Sequence, residues 1–175
     1  MRLFWRHGYE GVSISDLVGA IGIAPPSLYA AFGSKAGLYR EALDHYATLP
    51  GALDGLGSAA SASEAAADVL GRAVRAVTAP EGERGCMVST SMVQSGAEHA
   101  EIARDLTVRR RAIRDALAAE FGRWLSPDMA SATAGHIAAV MQGLAVQARD
   151  GASRADLEVV VEEVIAGIKA RLVTL

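Results

Sequence analysis

The strongest constraint on the fold lies in residues 13–33, where two short apolar periods are separated by one glycine. Ile14, Leu17, Val18 and Ile21 fall on one face at helical spacing. Gly22 follows where a helix must stop in a left-handed conformation, which glycine tolerates without a Cβ clash. Ile23 is placed to plug the gap between two helices, and Ala24-Pro25 restarts the chain. On the second helix Leu28 and Phe32 share a face one turn apart. Two short helices joined by a tight glycine turn form a helix-turn-helix, the geometry that sets a second helix into a DNA major groove.

The remainder reads as helix throughout. Alanine, leucine, glutamate and arginine dominate the long segments, and no alternating β-branched run bounded by turns interrupts them. Helix starts are marked by a serine with an acid three residues on: Ser13 with Asp16, Ser61 with Glu64, Ser153 with Asp156. Ser126-Pro127 marks another. The expected fold is therefore all-α, with helices near 1–8, 14–21, 25–32, 35–48, 62–79, 87–97, 100–124, 127–149 and 154–173. Composition shifts near residue 50, from short punctuated helices to long alanine-rich ones. That predicts an N-terminal helix-turn-helix domain over 1–48, including a connecting helix, and a C-terminal helical domain over 49–175.

Several function classes lose support at once. The chain is 51% hydrophobic, yet no apolar run reaches bilayer-spanning length, and the first residues lack a secretory cleavage pattern, so a cytoplasmic protein without a membrane partner is expected. One cysteine, Cys86, rules out an internal disulfide framework or a multi-cysteine metal site. Four histidines at 7, 45, 99 and 136 are scattered, and no nucleophile–base, metal or phosphate-loop pattern recommends catalysis; no enzyme, catalytic residue, metal or cofactor is expected. Electrostatics speak against DNA: residues 1–46 hold Arg2, Arg6, Lys35 and Arg40 against Glu10, Asp16, Glu41 and Asp44.

Phe4, then Gly8-Tyr9-Glu10-Gly11-Val12-Ser13-Ile14-Ser15-Asp16-Leu17, then Gly22-Ile23-Ala24, then Leu28-Tyr29-Ala30-Ala31-Phe32-Gly33-Ser34-Lys35-Ala36-Gly37-Leu38 resembles, without a gap, the N-terminal signature of TetR-family transcriptional regulators. Arg84-Gly85-Cys86-Met87 and Gly143 through Ser153 are similar to one subgroup of that family. The resemblance implies a ligand-responsive regulator that binds a palindromic double-stranded DNA operator as a homodimer, represses, and is released by a small-molecule effector. It implies phosphate contacts from Ser13, Ser15, Tyr29 and Lys35, and base-edge contacts from Pro25, Pro26, Ser27 and Ala30. Ser13 also reads as a cap and Tyr29 as a half-buried amphipathic side chain. Family members usually have a longer first helix with a basic lead-in, so a short N-terminus is expected here. No Arg, Asn or Gln lies between Ala24 and Phe32, which leaves base reading to Ser27, to methyl contacts and to DNA shape.

In the second half, Met87, Met92, Phe121, Trp124, His136 and Met141 read either as core or as the lining of an effector pocket. Ile102, Leu106, Ile113, Leu117, Phe121 and Trp124 form one apolar stripe, interrupted by Arg109, Arg110, Arg111 and Arg114. Arg110 falls nearest the stripe and is the candidate partner for a ligand anion or another helix. Cys86 reads as a packed small residue or as a reactive thiol at a helix start. The last two helices carry more apolar surface than one face can bury, which predicts a partner, with Ile137, Leu144, Leu157, Val161, Val164 and Ile168 as dimer-interface candidates. The competing reading is a helical small-molecule-binding or interaction protein without specific DNA binding.

Overall fold

The computed structural model describes residues 1–91 and 96–173. Among them the chain is all-helical: α1 Arg2–His7, α2 Ile14–Ile21, α3 Pro25–Phe32, α4 Lys35–Ala47, α5 Ala62–Val77, α6 Ala100–Phe121, α7 Pro127–Arg149 and α8 Arg154–Val173, with one 3-10 turn at Ala97–His99. The expected serine caps form. Ser13 Oγ accepts from Asp16 N at 3.1 Å, Ser61 Oγ from Glu64 N at 3.2 Å and Ser153 Oγ from Asp156 N at 3.2 Å. Pro127 occupies the first turn of α7, where a missing N–H costs nothing.

One expected helix fails. Residues 87–91 form turns instead of opening a helix to 97, and Met92 lies outside the described residues. A single helix-like bond, Thr90 N–H to the Cys86 carbonyl at 3.1 Å, closes this turn. Thr90 Oγ1 donates to the same carbonyl at 2.7 Å, and Ser89 N–H donates to Cys86 Sγ at 3.4 Å. Ile21, expected on the buried face of α2, is 48% exposed, because Leu17 alone takes the deep position.

Two hydrophobic clusters organise the packing. In the first, α5 packs against α7 and α8 through Val69, Leu70 and Val74, meeting Leu117 and Phe121 of α6, Ile137 and Leu144 of α7, and Leu157 and Ile168 of α8. In the second, Phe4, Val12, Leu17, Leu28, Tyr39 and Leu43 of the N-terminal helices close together with Met87, Val88, Ile102 and Leu106. Half-buried Cys86 and Ile113 touch both clusters. The stripe foreseen on α6 is thus shared, its first half serving one core and its second half the other.

This packing corrects the expected partner-facing residues. Ile137, Leu144, Leu157 and Ile168 are buried inside the chain's own first cluster, and Val161 and Val164 pack half-buried against it. The helices turn their most apolar stripe onto α5, which leaves Ile137, Leu144, Leu157 and Ile168 no surface for a second copy, while Val161 and Val164 keep part of theirs. Helix α7 also qualifies by length and composition as a bilayer-crossing helix, contrary to the expectation that no segment would, although its apolar stripe packs into the first cluster. Because Phe121 is fully buried beside Leu117, Phe121→Ala should cost about 3–5 kcal/mol, measured by urea unfolding; a loss under about 1 kcal/mol would contradict a core position. The depressed carboxyls of Asp16 and Asp156, each held down chiefly by a serine hydrogen bond, add an acid dependence. Their stabilisation is complete above the unfolded carboxyl range near pH 4 and is lost as pH falls through their lower folded values, which an acid titration followed by circular dichroism would register.

Candidate nucleic-acid interface

The turn between α2 and α3 is built as the glycine spacing requires. Gly22 takes φ 78° and ψ 31°, and its N–H closes onto the Val18 carbonyl at 2.8 Å. The two helix axes then diverge by 95°. Leu28 pins α3 to the core at zero exposure, with Phe32 half-buried one turn on. Pro25, Pro26, Ser27, Tyr29 and Ala30 consequently face outward, Tyr29 at 47% exposure. Ala24 offers no capping side chain, and the two prolines at the start of α3 carry no N–H, so few orphan donors open this helix.

The residues expected to meet phosphate differ in freedom. Ser13 is engaged in a full capping box: its hydroxyl donates to Asp16 Oδ2 at 2.6 Å while accepting from Asp16 N–H. The hydrogen-bonded Asp16 carboxyl stays ionised below the usual range, placing a negative charge at the start of α2. Ser15 is exposed beside it. Lys35 opens α4 directly after the Ser34 cap, half-buried, with its Nζ 4.4 Å from the Tyr9 ring centroid. Burial lowers its pKa, while Glu10 and Asp16 pull the other way. The ring holds the ammonium without neutralising it.

Where the other basic residues point explains the neutral N-terminal module, which charge counting alone could not. Arg2 donates to the Glu81 carbonyl at 2.7 Å, Arg6 makes a two-pronged pair with Glu83 at 2.8 and 2.9 Å, and Arg40 pairs with Asp105 at 2.6 Å and Glu101 at 3.4 Å. In return Arg109 reaches Asp44, and Arg149 donates to the Trp5 and Arg6 carbonyls at the end of α1. These side chains fasten the helix-turn-helix to the rest of the chain. Of the four Lys and Arg residues in 1–46, only Lys35 is left without a carboxylate or carbonyl partner among the described residues. Sequence reasoning missed this set because ion pairs more than sixty residues apart leave no local pattern.

The expected effector-pocket residues do not converge. Met87 lies fully buried in the second cluster and Phe121 in the first. Trp124 stacks under Arg123, whose guanidinium carbon is 4.3 Å from the ring centroid. Met141 packs half-buried against the first cluster, and His136 is exposed. Arg110 alone lines a groove, between α6 and α7. Cys86 is half-buried against both clusters. Among the described residues no three His, Cys, Asp or Glu side chains group to hold a metal ion.

Residues 1–42 match the family described as bacterial regulatory proteins, tetR family. The HTH-type transcriptional repressor ComR of Escherichia coli (strain K12) is 32% identical over 164 residues, covering 87% of this chain and 77% of ComR. The HTH-type transcriptional repressor BdcR of the same strain is 34% identical over 154 residues, covering 86% of this chain and 76% of BdcR. Among solved structures, a cysteine mutant of the TetR family transcriptional regulator CifR, complexed with 26-base-pair double-strand operator DNA, superposes with a TM-score of 0.88. It is 36% identical, and the match covers 94% of this chain and 91% of that one. With its glycine-turned helix pair, its outward-facing α3 and these relatives matched along most of their length, the chain belongs to the TetR family of bacterial transcriptional regulators.

Proposed function

We propose that the chain is a cytoplasmic one-component repressor: residues 1–48 bind a palindromic operator and residues 49–175 dimerise and sense a small molecule that releases the DNA. The observation that carries this reading is the α2–α3 crossing at 95°, with Leu28 inward and Pro25, Pro26, Ser27, Tyr29 and Ala30 outward. A CifR structure of the same fold holds operator DNA, which supports placing α3 in a major groove. Ser15, Tyr29 and Lys35 take phosphates, whereas Ser13 has both its hydroxyl and its N–H committed to Asp16 and must release the cap to donate to one. Base choice rests on Ser27, on methyl contacts from the prolines and Ala30, and on DNA shape.

Dimerisation is assigned to the outer faces of α7 and α8. Ala132, His136 and Val146 are exposed at helical spacing on α7, as are Ala155, Val159 and Ala166 on α8. Val146 at 48% and Val159 at 59% exposure are among the most exposed large apolar side chains of the described residues. Small neighbours let a second helix pair approach closely. One observation favours the competing reading, a helical ligand-binding protein without specific DNA binding: α3 carries no side chain able to make a bidentate base contact.

A gel-shift titration with the intergenic DNA beside the gene separates the two, and absence of a specific, salt-sensitive shift would remove the repressor reading. Lys35→Ala should weaken binding to every sequence alike and lower the slope of log affinity against log salt by about one. Placing charge on the outer face, as in Val146→Glu with Val159→Glu, should give monomers by sedimentation with helicity unchanged; a persistent dimer would move the interface elsewhere.

A further inference from the structure

The groove between α6 and α7 has a volume of about 390 Å³ and is lined by Arg110, Arg111, Arg114, Thr107 and Gln142 over a floor of Gly135, Ala138 and Ala139. It gathers three cationic side chains of one helix on one wall. Arg6, Arg40, Arg72, Arg109, Arg123 and Arg154 each have a carboxylate partner. None of the three groove arginines has one among the described residues. Like charges gathered on one concave surface repel, and that cost is relieved when an anion sits between them. Arg110 is also held in position: Nη1 donates to the Val88 and Ser91 carbonyls at 3.2 and 3.3 Å, and Nη2 to Thr107 Oγ1 at 3.2 Å. The floor is apolar and roomy, since a Cβ built on Gly135 would meet nothing within 4 Å. Guanidiniums above an apolar floor suit a small organic body that carries an oxyanion.

We infer that this groove is the effector site, that its ligand class is a small organic carboxylate or phosphate ester, and that occupancy is signalled by drawing Arg110 off the 88–91 turn. The route onward is continuous. Val88 is buried in the core of the N-terminal helices, Thr90 Oγ1 is 3.1 Å from Arg149 Nη1, and Arg149 Nη2 donates to the Trp5 and Arg6 carbonyls of α1. An oxyanion competing for the Arg110 guanidinium loosens the turn that braces both Val88 and Arg149. Only the consequence for DNA rests on the repressor reading; anion binding does not.

The test uses the full chain, with benzoate, phenyl phosphate and uncharged benzamide titrated calorimetrically at fixed ionic strength. At least one anion should bind saturably and benzamide should not; preference for benzoate or phenyl phosphate separates carboxylate from phosphate ligands. Arg111→Gln with Arg114→Gln changes exposed side chains, so the fold should persist by circular dichroism while anion affinity drops by about tenfold or more. No saturable anion binding, equal binding of benzamide, or undiminished affinity in the double variant would each overturn the site. So would a double variant that turns monomeric while the wild type binds no anion, since partner carboxylates would then fill the groove. In gel shifts, the bound anion should weaken DNA retention by wild type and do so less in Thr90→Val, which cuts the turn from Arg149; an equal response in both would overturn the route. A wild type that binds anion but shifts no DNA would unseat the repressor reading and leave the site standing.

Discussion

The helix-turn-helix of this chain does not close its own core, and most of the architecture follows from that. Leu17, Leu28, Tyr39 and Leu43 share one buried cluster with Met87, Val88, Ile102 and Leu106, which arrive from beyond residue 80. A unit of under fifty residues rarely buries enough apolar surface to stand alone. Here the deficit is met by α6, whose first half enters this core through Ile102 and Leu106 while its second half enters the other through Leu117 and Phe121. With 22 residues, α6 spans about 33 Å at the helical rise and acts as one rigid strut between the cores. A displacement at one end of such a strut is felt at the other, because packed interiors do not deform smoothly.

Polar contacts reinforce the same seam. Arg40 with Asp105, Arg109 with Asp44 and Arg6 with Glu83 all cross it. Each has at least one partner more than a third exposed, so each adds little stability singly. Their effect is directional: two hold α4 against α6 and one holds α1 against the loop after α5. They also consume the basic residues that a DNA-binding module would otherwise display. On the proposed reading, affinity then rests on few phosphate contacts per protomer and on two recognition helices held at fixed separation, which makes dimerisation a requirement for binding.

Much of this was legible in the sequence, residue by residue. Gly22, the capping serines and Pro127 act through neighbours within four residues, and local spacing records them faithfully. The effector-pocket and interface candidates were ambiguous in the sequence for a shared reason. Hydrophobic periodicity identifies an apolar stripe but not what covers it, so Ile137, Leu144, Leu157 and Ile168 read as partner-facing when α5 had already claimed them. Met87 and Phe121 looked like pocket walls because pocket and core draw on the same side chains.

The three unpaired arginines show the converse limit. In sequence, Arg110, Arg111 and Arg114 are indistinguishable from a solvated helix face, since such runs usually are one. Only the fold shows Arg109 turned toward α4 and paired, while its neighbours line a groove against the small residues of α7. One helical step of 100° separates a structural ion pair from a cationic pocket wall. The groove also meets α6 midway between the two cores, at the level of Ile113, which touches both. A ligand bound there acts where the strut has least packing of its own and where the 88–91 turn braces it through Arg110. Among the surfaces of α6, that is the position from which a small change in side-chain partners reaches the DNA-facing helices by the shortest chain of contacts.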